Sequence, residues 1–155
     1  MDWGHYFFSF NGRLNRAKQW LFLGLILVPA LIYEGFVTNY LGVSWKEVGR
    51  LFSTDGFNTP TGQKALMLML PLWLIIAFLS LTIGVKRLHD RNKNGLWIIL
   101  FIYVPWALGF LHSDTMGVFR IAASALNIWA FIELYCLRGT RGDNRFGPDP
   151  LAPSG

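Results

Sequence analysis

Three short polar segments of this 155-residue chain carry the residue types that could do chemistry, and each adjoins an apolar run. The first is Phe10-Asn11-Gly12-Arg13-Leu14-Asn15-Arg16. Gly12 can turn the chain, and Arg13 and Arg16, three residues apart, face one way if the segment is helical. Guanidinium forks so placed suit bidentate contact with phosphate oxygens, to which the N–H groups of a helix start would add. The alternative is topogenic charge that snorkels to lipid headgroups. The second segment, Lys86-Arg87-Leu88-His89-Asp90-Arg91-Asn92-Lys93-Asn94-Gly95, sets one acid among four cations. Asp90 is expected to pair with an Arg of another segment, while His89 can titrate near neutral pH or hydrogen-bond a carbonyl. Adjacent helical side chains point about 100° apart, so His89-Asp90 makes a poor dyad, and closure of a tight helical hairpin is the simpler role.

The third segment, Arg138-Gly139-Thr140-Arg141-Gly142-Asp143-Asn144-Arg145-Phe146-Gly147-Pro148, mixes three Gly with three Arg. Positive φ at its glycines permits a nest of N–H groups for an anion. A loop packing back on the other two segments is the alternative. No GKS or GKT, HExxH, GxSxG or CxxC occurs, so no nucleophile, metal or cofactor site is expected, and the chain reads as a non-enzyme. The single cysteine, Cys136, excludes an intramolecular disulfide and a Cys-based zinc cage, and is read as a buried, inert thiol.

The elements that position these segments follow from composition. Apolar residues make up 53% of the chain and charged ones only 15%, against about 25% charged in a soluble domain. So few polar side chains cannot cover seven Trp, thirteen Phe and the aliphatics in water, which makes lipid the expected solvent. Four runs approach the roughly 20 residues that cross a hydrocarbon core: 20–41, 65–85, 95–112 and 118–137. Pro29, Pro71 and Pro105 lie inside the first three, which lipid-embedded helices tolerate. Lys and Arg number three before the first run, four between the second and third, and three after the fourth; the other side has Lys46, Arg50 and Lys64. This positive-inside bias places both termini and the 86–94 loop in the cytoplasm and the 42–64 loop outside. The expected fold is all-α: an integral membrane four-helix bundle with short interfacial helices, one domain over 1–150, and a Pro-rich disordered end within 148–155.

One interfacial helix is expected in the outer loop, where Ser44 and Glu47 have capping-box spacing and Trp45, Val48, Leu51 and Phe52 share a face. The aromatics Trp3, Tyr6, Phe7, Phe8 and Phe10 form a second on the inner side. Four polar residues fall inside the apolar runs: Glu34, Arg120, Asn127 and Glu133. Such groups are costly in lipid and need partners. Glu34 and Arg120, both near the outer boundary, are expected to pair or share a pocket. Glu133, near the inner surface, is expected to be neutralised by Lys86, Arg87 or His89.

The three segments together resemble the DUF805 family (domain of unknown function 805), small bacterial inner-membrane proteins. Phe10, Gly12, Arg13 and Arg16 match its F-x-G-R-x-x-R element. Lys86 to Asp90 with Gly95, Leu96 and Trp97 match R-R-L-H-D and a Gly-Trp-Trp helix start, with Lys86 and Leu96 as departures; Pro105 stands where the family has a proline. Gly139, Gly142, Asn144, Arg145, Phe146, Gly147 and Pro150 match its third element. The resemblance implies a location and a fold class, with no assigned activity. All three elements lie on the expected cytoplasmic face, where Arg13, Arg16, Arg87, His89, Asp90 and Arg145 can converge. The function expected is a non-enzymatic membrane module binding anionic lipid headgroups or a protein partner, without cofactor. A homodimeric solute or ion transporter using Glu34 is the alternative. Nucleic acid is disfavoured despite the net charge of +5, because the cations are dispersed at helix ends.

Overall fold

A computed structural model describes residues 3–51, 54–110 and 116–152, and all its regular elements are helical. In chain order they are α1 (Trp3–Phe8), α2 (Arg16–Leu41), α3 (Trp45–Leu51), α4 (Thr54–Phe57), α5 (Pro60–Asp90), α6 (Val104–Phe110) and α7 (Met116–Phe131). Two π-helical segments adjoin them: Ile99–Tyr103 leads into α6, and Ile132–Cys136 extends α7. Three helices are long and apolar enough to cross a membrane: Arg16–Leu41, Pro60–Asp90 and Gly117–Cys136. Their lipid character is visible in side chains that no protein covers, among them Leu31, Ile32, Phe36, Met67, Leu74 and Ile121. Leaving one such side chain in water instead of an apolar medium costs about 1.5–3 kcal/mol.

The third expected run does not reach that length among the described residues. Its helical part begins at Trp97 and ends at Phe110, about 20 Å at 1.5 Å per residue, with a π-helical stretch inside it. Residues 111–115 lie outside the described set, so the count of spans here is three.

The chain divides into two compact units, residues 1–21 with 79–155, and residues 22–78. In the second unit α2 meets α5 through Tyr33, whose hydroxyl donates to Leu68 O (2.9 Å), and through Trp73 Nε1, which donates to Glu34 Oε1 (3.2 Å). The expected interfacial helix is α3. Glu47 Oε2 accepts from both the Ser44 N–H and its hydroxyl, and Leu51 turns inward; Phe52 lies outside the described residues. These donors hold the Glu47 carboxyl below its ordinary pKa, the backbone N–H contributing most.

The first unit is centred on Leu88, Ile98, Phe101, Ala130 and Leu134, with Leu81, Val85 and Tyr135 packed against them. Both sides of the α5 hairpin approach closely at a glycine. A Cβ on Gly84 would fall 2.6 Å from Ile98 Cδ1, and one on Gly95 would fall 2.8 Å from Val85 Cγ1. Asn92 ends α5: it adopts φ 55°, Lys93 N–H returns to Leu88 O (2.8 Å) and Asn92 N–H to His89 O (2.9 Å). That pair of bonds is a Schellman closure with Asn in the left-handed position. It fixes Asp90 as the last residue of α5, at the end of a helix about 46 Å long that outruns a 30 Å hydrocarbon core.

Candidate functional site

The three motif segments meet within the first unit. Gly12 (φ 94°) turns the chain so that α2 starts only at Arg16, capped by Asn15, whose Oδ1 accepts from Lys18 N–H (2.9 Å). Arg13 is therefore not helical, and the two arginines diverge instead of sharing a face. Arg13 turns inward and Arg16 donates to Cys136 O (2.8 Å). Leu14 N–H to Lys86 O (3.2 Å) pins the turn to α5. Lys86 in turn is buried and donates through Nζ to Tyr6 O (2.8 Å), tying down α1.

Asp90 is the hub. Its Oδ1 lies 3.1 Å from Arg13 Nη2 and accepts from Arg13 Nε (3.2 Å), while Arg87 Nη1 donates to Oδ2. The side chains of Asp90, Arg13 and Arg87 are 3%, 1% and 0% exposed, so Asp90 has the expected partner from another segment, Arg13, and a second, Arg87, from its own, both out of water. One carboxylate cannot satisfy two buried guanidiniums. Backbone carbonyls supply the remainder. Arg87 donates to Leu134 O (2.8 Å) and to Leu137 O, at the C-terminal, partially negative end of α7. Arg13 donates to Thr140 O (2.7 Å), Gly142 O (2.6 Å) and Gly147 O (3.2 Å). A guanidinium has five N–H groups, and every one on Arg13 has an acceptor in reach.

The third segment thus presents carbonyls inward. Gly142 (φ 73°) and Gly147 (φ 132°) do take positive φ, as expected of them, but the loop is a cradle for a cation and not an N–H nest for an anion. Its closing turn is an antiparallel bridge between Asn144 and Gly147. Asn144 Nδ2 donates to His89 O (2.9 Å) and Thr140 Oγ1 (2.9 Å), and Thr140 N–H donates to Asp90 O (2.8 Å). His89 Nδ1 lies 3.2 Å from Gly12 O, and its ring stacks on Phe146 with centroids 3.9 Å apart. His89 and Asp90 therefore serve different partners. Arg145 covers the other face of this layer, its guanidinium 4.7 Å from the Phe146 ring centroid and donating to Asn92 O (3.2 Å). Phe10, which opens the first motif, is exposed.

Several expectations are corrected here. Glu133 forms its ion pairs with Arg91 (3.0 Å) and Lys93 (3.0 Å) and none with Lys86, Arg87 or His89, of which Arg87 feels its charge from farther away. The cause is the π-helical turn over Ile132–Cys136, closed by Leu137 N–H to Ile132 O (3.0 Å), which rotates the last side chains of this helix away from an α-helical register. Cys136 is exposed, because that turn is the end of the helix. The chain end is ordered through Ala152: Asp149 accepts from Gly142 N–H (2.9 Å), Leu151 N–H (3.0 Å) and, at its carbonyl, Ala152 N–H (3.0 Å). Residues 153–155 lie outside the described set. Of the other polar residues within the apolar runs, Glu34 has Trp73 as its partner within its own unit, and Arg120 and Asn127 are exposed along α7. Thr140, Arg91 and Lys93 enter the cluster without having been singled out by residue type.

Asp149 gives this loop a pH dependence. The N–H groups of Leu151 and Gly142 stabilise the carboxylate and hold its pKa below the ordinary value. A depressed folded pKa contributes order at neutral pH that is lost as pH falls through the folded value. Protection of the Gly142 and Leu151 amides, taken relative to the intrinsic exchange rate at each pH, is expected to fall below about pH 4, and Asp149→Asn to give that low protection already at neutral pH. Protection that does not change with pH in the wild type would count against this role.

Beside the buried hub lies a cavity of about 220 Å³, lined by Asn15, Arg16, Ala17, Arg138, Gly139 and Leu151. Among the described residues no group of three or more His, Cys, Asp or Glu side chains is placed to hold a metal ion.

The family described as "Protein of unknown function (DUF805)" matches residues 7–148, which include all three motifs. The uncharacterized protein YiiR of Escherichia coli K12 is 30% identical over 148 residues, covering 92% of this chain and 86% of its own. Two further Escherichia coli K12 proteins are named inner membrane proteins. YhaI is 28% identical over 147 residues (92% and 86% of the two chains), and YhaH is 26% identical over 144 residues (92% and 87%). No solved structure matches. With its three motifs gathered around one buried carboxylate and a family match along nearly its whole length, the chain belongs to the DUF805 family.

Proposed function

We propose that this chain is a non-enzymatic, multi-pass protein of the bacterial inner membrane, with both termini in the cytoplasm and segment 95–112 as a fourth membrane segment. Its cytoplasmic end is a closed polar cap that presents the leftover cations to anionic lipid headgroups. The names of two relatives as inner membrane proteins support the location, and the excess of Lys and Arg at the motif-bearing end supports the orientation.

One observation carries the headgroup reading: the two buried acids of the cap are already neutralised from within, and the other two, Asp143 and Asp149, form no ion pair among the described residues. Asp90 is held by Arg13 and Arg87, and Glu133 by Arg91 and Lys93. Arg16, Arg138, Arg141 and Arg145 remain exposed, and none of them forms an ion pair among the described residues. Juxtamembrane cations of this kind contribute about 1 kcal/mol each toward an anionic leaflet. Arg13 and Arg87, both buried, hold the cap together and do not reach lipid. The separation of His89 from Asp90 into different bonding partners gives no support to acid–base chemistry.

Reconstitution into vesicles of phosphatidylcholine with a minor fraction of phosphatidylglycerol tests the reading. Lipid extracted with the gently solubilised wild type is expected to be enriched in phosphatidylglycerol, and the quadruple Arg→Ala variant at positions 16, 138, 141 and 145 to lose that enrichment while remaining folded, its unfolding midpoint lowered only by the loss of the exposed Arg16 and Arg145 contacts. A wild type without enrichment would sink the proposal.

A further inference from the structure

The cavity beside the hub is a candidate for something more specific than diffuse attraction. Its two cations come from opposite ends of the sequence, Arg16 at the start of α2 and Arg138 just past the π-helical turn. Arg16 commits one of its five N–H groups to Cys136 O, which fixes the guanidinium's position. Arg138 uses its carbonyl to accept from Arg91 (2.6 Å), which anchors its backbone, and its guanidinium makes no hydrogen bond among the described residues. No carboxylate lines the cavity. Asp149, in the same loop, feels the Arg138 charge but has one oxygen engaged by Gly142 N–H and the other by Leu151 N–H.

The remaining walls are apolar or small: Ala17, Gly139 and Leu151, with Asn15 turned to its capping bond. Leu151 is 58% exposed yet held in place by Asp149. The lining therefore combines two arginines with apolar and small residues. Donors of this type favour a phosphate group, whose oxygens accept from more than one fork. The apolar wall favours a phosphate that carries carbon.

We propose that this cavity is a discrete site for the phosphate of one anionic headgroup, seated between Arg16 and Arg138 with its glycerol against Leu151. The inference rests on the headgroup reading above and deepens it, since it assigns a single saturable position where that reading needs only surface charge. The same phosphate chemistry is available from free inorganic phosphate, and the experiment separates the two sources.

Native mass spectrometry of the full chain released from nanodiscs of phosphatidylcholine with phosphatidylglycerol supplies the test, alongside the bulk enrichment measured in vesicles. The wild type is expected to retain a single phosphatidylglycerol per chain, undisplaced by excess inorganic phosphate. Arg138→Ala, which removes no hydrogen bond of the fold, and Leu151→Glu, which sets a carboxylate in the wall, are each expected to lower that retention about tenfold, the scale of one charge-assisted contact. Arg141→Ala is expected to leave it unchanged. Retention unaltered in both Arg138→Ala and Leu151→Glu overturns the discrete site, and if bulk enrichment persists the headgroup reading survives it. Displacement of the lipid by inorganic phosphate also overturns it, because the carbon-bearing part then contributes nothing. Absence of both retention and enrichment in the wild type overturns the two together.

Discussion

Replacing Asp90 with Ala is expected to destabilise the folded protein by about 3–5 kcal/mol, the cost of leaving buried charges without their partner. Two guanidiniums depend on this carboxylate, Arg13 and Arg87, and their side chains are 1% and 0% exposed. Neither can swing into water without surrendering its carbonyl acceptors on the loop after α7 or on the last turns of that helix. Asp90→Asn is expected to be nearly as severe, since the amide is isosteric yet brings N–H donors toward donors and removes the negative charge. Thermal unfolding in nanodiscs measures both, and a loss of this size corresponds to a fall in midpoint of about 10 °C. Arg145→Ala is the contrasting case: exposed, held by one hydrogen bond and a ring contact, it should cost no more than about 1 kcal/mol. Equal midpoints for wild type and Asp90→Ala would show that the hub is not what holds the three segments together.

Asp90 also marks how far the sequence could be read. One acid among four cations announces a pairing, because an isolated charge at a helix end seeks its opposite. It does not announce which arginine, and Arg13 stands 77 positions away. Two of the three glycines of the third segment, Gly142 and Gly147, took the expected positive φ, but the sequence was silent on polarity, since the same backbone freedom can turn either N–H or C=O groups inward. Only the position of Arg13 decides between them. The helices were legible from their apolar length, and α3 from its capping spacing, because both signals are local.

The π-helical segments were not legible, as nothing in ILFIY or IELYC differs in residue type from an α-helical run. The second of them accounts for the partners of Glu133 and the exposure of Cys136. Closure of α5 by Asn92 was within reach of the sequence, since Asn tolerates the left-handed conformation that ends a helix.

The second large effect is expected at Gly139, where the fold leaves no room for a side chain. A Cβ there would overlap the Asp90 carboxylate. Such an overlap is cheap when the neighbour is a free side-chain tip, but this tip is clamped by Arg13 and Arg87, so a methyl group must either displace a buried ion pair or push the loop off α5. Overpacking a well-ordered interior costs typically about 1–3 kcal/mol. Here the loop also brings Thr140, which donates to Asp90 O, and the carbonyl cradle of Arg13, so Gly139→Ala should reach the upper part of that range and Gly139→Val exceed it. A double-mutant cycle separates steric overlap from a general need for backbone freedom. If the methyl acts through the carboxylate, Gly139→Ala should cost far less in the Asp90→Ala background than in the wild type, with a coupling of about 1 kcal/mol or more. Additive losses would instead place the requirement in the loop backbone and deny the close approach of Gly139 to Asp90 its role in sealing the cap.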